Sequence, residues 1–122
     1  MKRDMDLVRK ILLKIEASDE GKIKLDIPDY PQDQVNLHVE LMKERGLVEA
    51  LVFRSNDGPE RKILACTVER MTWEGHEFLD AAREDSIWDQ AKEQCLEATG
   101  GLSIELLKDC LFQTAKQSLG IQ

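Results

Sequence analysis

Two apolar runs that flank a strong turn sequence lie in the middle of this chain. Residues 47–53 and 62–68 are rich in Val, Leu and Ile, and RSNDGPER lies between them. Its Asn-Asp-Gly-Pro core favours a tight turn, because Gly and Asn tolerate a positive φ and Pro cannot donate to a strand ladder. The pattern predicts an antiparallel β-hairpin with a polar tip, so the fold must belong to a class that contains a sheet.

Apolar residues at helical spacing precede the hairpin. Between residues 4 and 17 they recur every three or four positions, which predicts a first helix with Asp4 as its N-cap. A second helix is predicted from about Gln32 to Arg45, and Gly46 closes it in the left-handed conformation. Between these helices, residues 23–27 alternate apolar and polar side chains, which predicts a short strand that the following proline ends.

Further helices are predicted after the hairpin. Thr72 can cap a third helix that tolerates Gly75 inside it, and helical spacing continues through residues 84–99 until two glycines break it. A last helix begins at Ser103, which has the residue type of an N-cap. The large aromatic side chains of this region are expected in the core; they are Trp73, Phe78 and Trp88.

The predicted order of elements is helix, short strand, helix, hairpin, then more helices. This order is the winged-helix arrangement, a helix-turn-helix variant with a β-wing. The predicted fold class is therefore α+β, a winged helix-turn-helix with a small antiparallel sheet and additional C-terminal helices. Residues 1–92 form the expected winged-helix domain with trailing helices, and residues 93–122 form a C-terminal helical extension. The helix that normally precedes the recognition helix has almost no room between Ile27 and Gln32.

Four phrases of the sequence resemble a known family. They are MKRDMDLVRKILLKIE, NLHVELMKERGLVEA, TWEGHEFLDAAR and DSIWDQAKE, and together they extend over roughly residues 1–92. They resemble a family of short uncharacterised bacterial and prophage proteins, a domain of unknown function. The resemblance implies a winged-helix fold and a bacterial or prophage origin. It implies no activity, cofactor or binding residue.

Composition limits the class of protein. With 122 residues and 42% hydrophobic content, the chain is long enough for one domain with its own core. It contains no apolar run of about 18 residues, and charges interrupt its amino terminus, so we expect neither a membrane span nor a secretory signal. Three cysteines without a CxxC pair favour a reducing, cytoplasmic location. The net charge of -7 argues against a protein that coats nucleic acid indiscriminately.

Polar residues on the second helix and at the hairpin tip are candidate DNA contacts. Gln and Asn suit adenine edges in the major groove, and basic residues at a wing tip suit the sugar-phosphate backbone. Acidic residues at positions 33, 40 and 44 oppose this interpretation, and hairpin tips are often polar simply because they face water. The candidates are Gln32, Gln34, Asn36 and Lys43 on the helix, and Arg54, Asn56, Arg61 and Lys62 at the tip.

The last helix carries an apolar stripe. Ile104, Leu107, Leu111 and Ala115 recur at helical spacing after the two-glycine break. Such a stripe either folds back on the domain or pairs with a second copy of the chain. A symmetric homodimer through this stripe is therefore one hypothesis.

No residue constellation typical of an enzyme is present in the sequence. The histidines and cysteines show no metal-ligand spacing such as CxxC or HxxxH, and there is no GxSxG elbow or phosphate-binding glycine loop. We therefore expect no catalytic residue, no metal and no cofactor. The leading hypothesis is a winged-helix DNA-binding or transcriptional-regulator-like protein that binds double-stranded DNA. The alternative is a non-enzymatic protein-protein interaction module on a winged-helix scaffold.

Overall fold

The computed structural model describes residues 2–18, 23, 25–58, 61–99 and 103–120. The predicted α+β class is confirmed, because helices and one antiparallel pair of strands form the described part of the chain. The elements are α1 (Met5–Ala17), α2 (Gln32–Glu44), β1 (Val48–Arg54), β2 (Ile63–Met71), α3 (Trp73–Ala82), α4 (Asp85–Thr99) and α5 (Ile104–Ser118). The chain forms two compact units, Met1–His76 and Glu77–Gln122. The predicted boundary after residue 92 falls inside α4.

Helices α1 and α2 form where the spacing of apolar residues predicts them. The carboxylate of Asp4 accepts hydrogen bonds from the backbone N–H groups of Asp6 at 2.9 Å and Leu7 at 3.2 Å, so the predicted N-cap is confirmed. At the end of α2, Gly46 has a φ of 82°, which confirms its left-handed conformation. Both helices turn their apolar stripes inward, where α2 packs against α1 and both strands.

A buried histidine joins the two helices. The His38 ring on α2 is fully buried, and its Nε2 accepts a hydrogen bond of 2.8 Å from the backbone N–H of Asp4. Its Nδ1 lies 2.8 Å from the carbonyl oxygen of Gln34. Because Nε2 is the acceptor, Nδ1 carries the hydrogen and donates to that carbonyl. Both ring nitrogens therefore have partners, which offsets the cost of burying a polar side chain.

The predicted hairpin is confirmed, and its second strand extends three residues beyond the predicted end. Val48 pairs with Met71 at the base and Arg54 with Ile63 at the tip. Irregularities in the register lie between Glu49 and Ala50 and between Phe53 and Arg54. Buried residues of β1 and β2 face the helices on one side of the ladder, whereas the opposite side is exposed.

The short strand predicted over residues 23–27 is wrong. Ile23 and residues 25–27, which the structure describes, form no strand; Lys24 lies outside the described residues. A turn begins directly after Ile27, whose carbonyl accepts the backbone N–H of Tyr30 at 3.3 Å, while Asp29 has a φ of 72°. The turn leaves too little extended chain for a ladder, although Ile27 is buried in the core. No helix lies between Ile27 and Gln32, as the sequence predicts.

The start of α3 is seated on the loop between α2 and β1. The Thr72 hydroxyl accepts the backbone N–H of Gly75 at 3.1 Å, which confirms the predicted cap, and donates to the carbonyl of Gly46 at 2.5 Å. The backbone N–H of Thr72 donates to the carbonyl of Leu47 at 3.0 Å. A Cβ on Gly75 would overlap that carbonyl oxygen and lie 2.6 Å from Cγ of Met71. Glycine is therefore required at position 75 rather than merely tolerated.

The second unit is a helical layer in which α5 packs on α4. Phe78 and Trp88 are buried and meet edge to face, with ring centroids 6.2 Å apart. The hydroxyl of Ser103 accepts the backbone N–H of Leu106 at 3.1 Å and caps α5, as predicted. Within the described residues, no helix combines the length and apolar composition needed to cross a membrane.

Candidate interaction surfaces

One face of the hairpin exposes an apolar strip. Strand alternation places Leu51 and Phe53 of β1 on the side opposite the helices, beside Thr67 and Ala65 of β2. Leu64 adds a third large side chain at the irregularity near the tip. Leu51, Phe53 and Leu64 are 48%, 51% and 67% exposed. We call these five residues the hairpin outer face.

An ion pair marks the base of the hairpin outer face. Arg70 donates from Nε and Nη2 to the two carboxylate oxygens of Glu49, at 2.9 and 2.8 Å. Its remaining Nη1 lies 3.4 Å from the carbonyl oxygen of Met71. A bidentate pair of this geometry holds the guanidinium in one orientation and compensates its charge. The outer face therefore ends in a fixed, nearly neutral pair rather than in an isolated cation.

A cavity of about 430 Å³ adjoins this ion pair in the first unit. It lies between the end of α1, the base of β2 and the start of α3. Its lining includes Ile15, Glu16, Glu69, Arg70, Trp73 and His76. The expectation that Trp73 is a core residue is wrong, because its side chain is 75% exposed. Gly75 and Phe78 lie on the buried side of α3, whereas Trp73, the first residue of that helix, lies on the cavity side.

The candidate DNA contacts on α2 differ in how exposed their side chains are. Asn36 is only 7% exposed, and its side-chain oxygen accepts a hydrogen bond of 2.9 Å from Nε2 of Gln32. Gln34 is half-buried, and Lys43 is exposed at the end of the helix. A base edge cannot reach Asn36 in this conformation. The acids at positions 33 and 44 are exposed on the same helix.

At the hairpin tip, the four candidates also differ in their surroundings. The Arg54 guanidinium forms an ion pair with Glu40 of α2 and donates to the carbonyl of Arg61 at 2.8 Å. Its charge is therefore compensated within the chain. Asn56, Arg61 and Lys62 are exposed. The tip thus offers two basic side chains, whereas the sequence suggested three.

The apolar stripe of α5 is used inside the second unit. Leu107 and Leu111 are completely buried, and Ile104 and Ala115 are half-buried. These side chains therefore pack within the second unit, and the homodimer through this stripe stays a hypothesis.

The thiols of Cys66 and Cys110 lie in environments that disfavour the thiolate. Burial, followed by the nearby carboxylate of Glu40, raises the pKa of Cys66, whose Sγ lies 3.6 Å from the carbonyl oxygen of Asn36. Burial and the adjacent Cys95 thiol raise the pKa of Cys110. A raised pKa lowers the nucleophilicity of a thiol at neutral pH. Among the described residues, no three His, Cys, Asp or Glu side chains are grouped as metal ligands would be.

Comparison with known proteins places the chain in a family. The model of a family described as "Hypothetical protein (DUF2513)" matches residues 2–101. The chain belongs to the DUF2513 family. An uncharacterized protein of Haemophilus influenzae is 35% identical over 123 residues, covering 98% of this chain and 99% of that protein. No solved structure matches. The predicted membership of an uncharacterised domain family is confirmed.

In this DUF2513 member, sequence reasoning missed the hairpin outer face and the cavity. The alternation of residues 49–53 could have indicated the first, because Leu51 and Phe53 share a face with Glu49. No sequence signal could have indicated the cavity, because its walls come from three elements distant in the chain.

Proposed function

We propose that this chain is a non-enzymatic protein-interaction module on a winged-helix frame, and that its partner docks on the hairpin outer face. One observation carries the proposal: Leu51 and Phe53 share one face of β1 and, like Leu64 at the nearby irregularity of β2, are each about half or more exposed. Fully burying an exposed Leu or Phe side chain contributes about 1.5–3 kcal/mol, so each of these side chains, about half exposed, would contribute roughly half of that. Contiguous exposed apolar side chains with polar neighbours commonly mark a binding surface.

The winged-helix frame is supported by the order and packing of the first unit. Helices α1 and α2 precede a hairpin that packs against α2, and α3 follows directly. In the proposed frame, the hairpin is the element that corresponds to a wing. The sheet has two strands in the described part of the chain, so the frame proposed is a reduced form of that arrangement.

The charges of the chain favour a partner with basic groups beside an apolar strip. The net charge is -7, and the exposed Glu69 lines the cavity that adjoins the hairpin outer face. Complementary charge speeds encounter and selects partners. The free cysteines suit a reducing compartment, and the cytoplasm is the location we propose.

Site-specific crosslinking in cells tests the docking surface. A photo-crosslinking amino acid, p-benzoylphenylalanine, replaces Phe53 in one chain and the exposed Glu44 of α2 in another. We expect a protease-sensitive, nuclease-resistant adduct from position 53 that is absent from position 44. Adding Leu51→Asp to the position-53 chain should abolish the adduct while the far-UV circular dichroism stays unchanged. Equal adducts at both positions, or an adduct indifferent to Leu51→Asp, would contradict the proposal.

DNA binding through the wing is the second candidate. The exposed side chains of Asn56, Arg61 and Lys62 favour it, with Lys43 on α2 as a further contact. The partner would be double-stranded DNA, and the protein a regulator of bacterial or prophage origin. Against it stand the buried Asn36, the compensated Arg54 and the exposed acids of α2.

Fluorescence anisotropy with random-sequence and genomic DNA at low and physiological salt tests this candidate. Salt-sensitive binding that persists at physiological salt supports it. Arg61→Ala and Lys62→Ala should each lower the slope of log K against log salt by about 0.9 if they contact phosphate. Lys116→Ala on α5, an exposed lysine of the second unit, is the matched control and should leave the slope unchanged. No binding at low salt would remove DNA as the partner.

A further inference from the structure

Two cysteines lie against each other in the second unit. Cys95 of α4 and Cys110 of α5 are in side-chain hydrogen-bond contact, and neither is part of a disulfide. Cys66, by contrast, lies on β2 in the first unit. Two thiols in contact are the starting point of a disulfide within the chain, which a single cysteine cannot form.

The packing of α5 on α4 holds the two thiols together. Ala91 and Cys95 are buried about one helical turn apart on α4, and Cys110 follows the buried Leu107 by about one turn on α5. Only residues 100–103 separate the two packed helices in the sequence, and connections this short join antiparallel neighbours. The contact between the thiols is therefore built into the helix pair.

The two thiols differ in their access to solvent. Cys95 is only 1% exposed, whereas Cys110 is half-buried. A reagent from solvent therefore reaches Cys110 first, and Cys95 reacts with the group that Cys110 has taken up. Redox-sensitive cysteines are commonly accessible and placed next to a second cysteine that resolves the first product.

We infer that Cys95 and Cys110 form a reversible disulfide under oxidising conditions and so link α5 covalently to α4. The oxidant is a low-molecular-weight disulfide. The Cys110 thiolate attacks one of its sulfurs, which forms a mixed disulfide and releases one small thiol. The Cys95 thiolate then attacks the Cys110 sulfur, which forms the bond within the chain and releases the second small thiol.

The reaction balances in electrons and protons. The two protein sulfurs lose two electrons to the small disulfide, and their two protons end on the two released thiols. An excess of the small thiol reverses both steps. In a reducing compartment the pair therefore stays reduced, and it closes only when the small disulfide accumulates.

The pair should react slowly at neutral pH. Burial, followed by the Cys95 thiol, raises the pKa of Cys110 above its ordinary value of 9.0. Among the described residues, the titratable groups that act on Cys110 are Cys95 of α4 and Asp109 of α5. The thiolate is the attacking species, so oxidation should be about tenfold faster at pH 8 than at pH 7. A rate that does not depend on pH would contradict attack by a buried thiol.

Peptide mapping of the oxidised wild type tests the pair directly. The full chain is incubated under native conditions with glutathione disulfide, blocked with N-ethylmaleimide and digested with trypsin without reduction. Trypsin cleaves after Lys108 and so separates the two cysteines. We expect a linked Cys95–Cys110 peptide in mass spectrometry, which excess glutathione removes. Absence of this peptide even at alkaline pH, or links to Cys66 in equal yield, would overturn the inference.

Alanine variants assign the role of each thiol. Cys95→Ala should accumulate the mixed disulfide on Cys110, whereas Cys110→Ala should leave the buried Cys95 reduced. Cys66→Ala is the matched control and should form the Cys95–Cys110 bond at the wild-type rate. Equal uptake of glutathione by Cys95 and Cys110 in the two single variants would overturn the assigned order. Far-UV circular dichroism checks that each variant is folded, and the mapping of the wild type needs no variant.

Thermal unfolding measures the effect of the covalent link. A bond between positions 95 and 110 restricts the unfolded chain, so oxidation should raise the Tm of the wild type by roughly 8–16 °C. Cys66→Ala should show the same rise, and Cys95→Ala treated with the same oxidant should show none. An unchanged or lower Tm after complete oxidation would contradict a link that stabilises the helix pair.

Discussion

Replacing Gly75 by alanine tests how closely the start of α3 packs against the loop between α2 and β1. In an isolated helix the change would be favourable by about 1 kcal/mol, because glycine is a poor helix former. In this fold the new Cβ would overlap the carbonyl oxygen of Leu47, lie 3.2 Å from its carbonyl carbon and lie 2.6 Å from Cγ of Met71. The Met71 side chain can adjust, whereas the Leu47 carbonyl belongs to the backbone. The sign of the effect depends on whether that carbonyl can move.

Hydrogen bonds on both sides fix the Leu47 peptide groups. Its N–H donates to the carbonyl of Met42 at 2.9 Å, and its carbonyl accepts from Thr72 at 3.0 Å. Relieving the overlap therefore breaks at least one of these bonds, at about 0.5–1.5 kcal/mol each. Residual overpacking adds about 1–3 kcal/mol. After the gain of about 1 kcal/mol in helix propensity, we expect a net loss of about 0.5–3.5 kcal/mol in the free energy of unfolding.

Urea and thermal unfolding followed by far-UV circular dichroism measure this loss. At about 4 °C per kcal/mol for a chain of this size, Tm should fall by roughly 2–14 °C. Glu74→Ala, at the exposed neighbouring position of the same helix, is the control and should change stability by less than about 1 kcal/mol. A Gly75→Ala protein as stable as the wild type would refute the close approach of α3 to Leu47.

Three further changes test other parts of the structure. His38→Phe leaves the backbone N–H of Asp4 without its buried acceptor, so the free energy of unfolding should fall by about 1–3 kcal/mol in urea titrations. An unchanged urea midpoint would exclude the His38 hydrogen bond as a link between α1 and α2. Burial, followed by the Asp4 carboxylate, raises the pKa of Tyr30 above 10.0. The stability that the protonated Tyr30 contributes is therefore complete below pH 10.0, and it is lost as the pH rises through the pKa of Tyr30 in the folded protein. Tyr30 is the single tyrosine, so the absorbance of tyrosinate at alkaline pH follows its titration alone. The midpoint should lie above pH 10.0 and should move down in Asp4→Asn. A normal midpoint in the wild type would contradict the contact between Tyr30 and Asp4. Leu107→Asp should unfold the second unit, whereas a folded monomer by light scattering would instead support a dimer through α5.

Local signals predicted the elements that short stretches of sequence specify. The hairpin followed from two β-rich runs around an Asn-Asp-Gly-Pro turn, and the helices followed from apolar spacing. The caps Asp4, Thr72 and Ser103 were predicted because an N-cap needs only a short polar side chain next to its own helix. The strand over residues 23–27 was predicted wrongly, since alternation alone cannot show that a turn follows at Asp29.

The candidate site was harder to predict because its properties arise from contacts between distant residues. Asn36 and Arg54 are suitable residue types for DNA contacts, but one is buried on α2 and the other pairs with Glu40, 14 positions away. Trp73 belongs to a residue type usually found in cores, yet the close seating of Gly75 on Leu47 leaves it exposed at the cavity.

By itself, the sequence determined the α+β class, the positions of the helices and hairpin, and membership of an uncharacterised family. The class and the positions depend on periodicity or on neighbours within a few residues, so the chain carries that information locally, whereas the family followed from the resemblance of four phrases of the sequence. Only the tertiary structure decided which polar groups are available to a partner. That choice depends on burial and on ion pairs such as Arg54 with Glu40 and Arg70 with Glu49, whose members come from different elements. The exposed hairpin face and the cavity beside Trp73 exist only once those elements have packed.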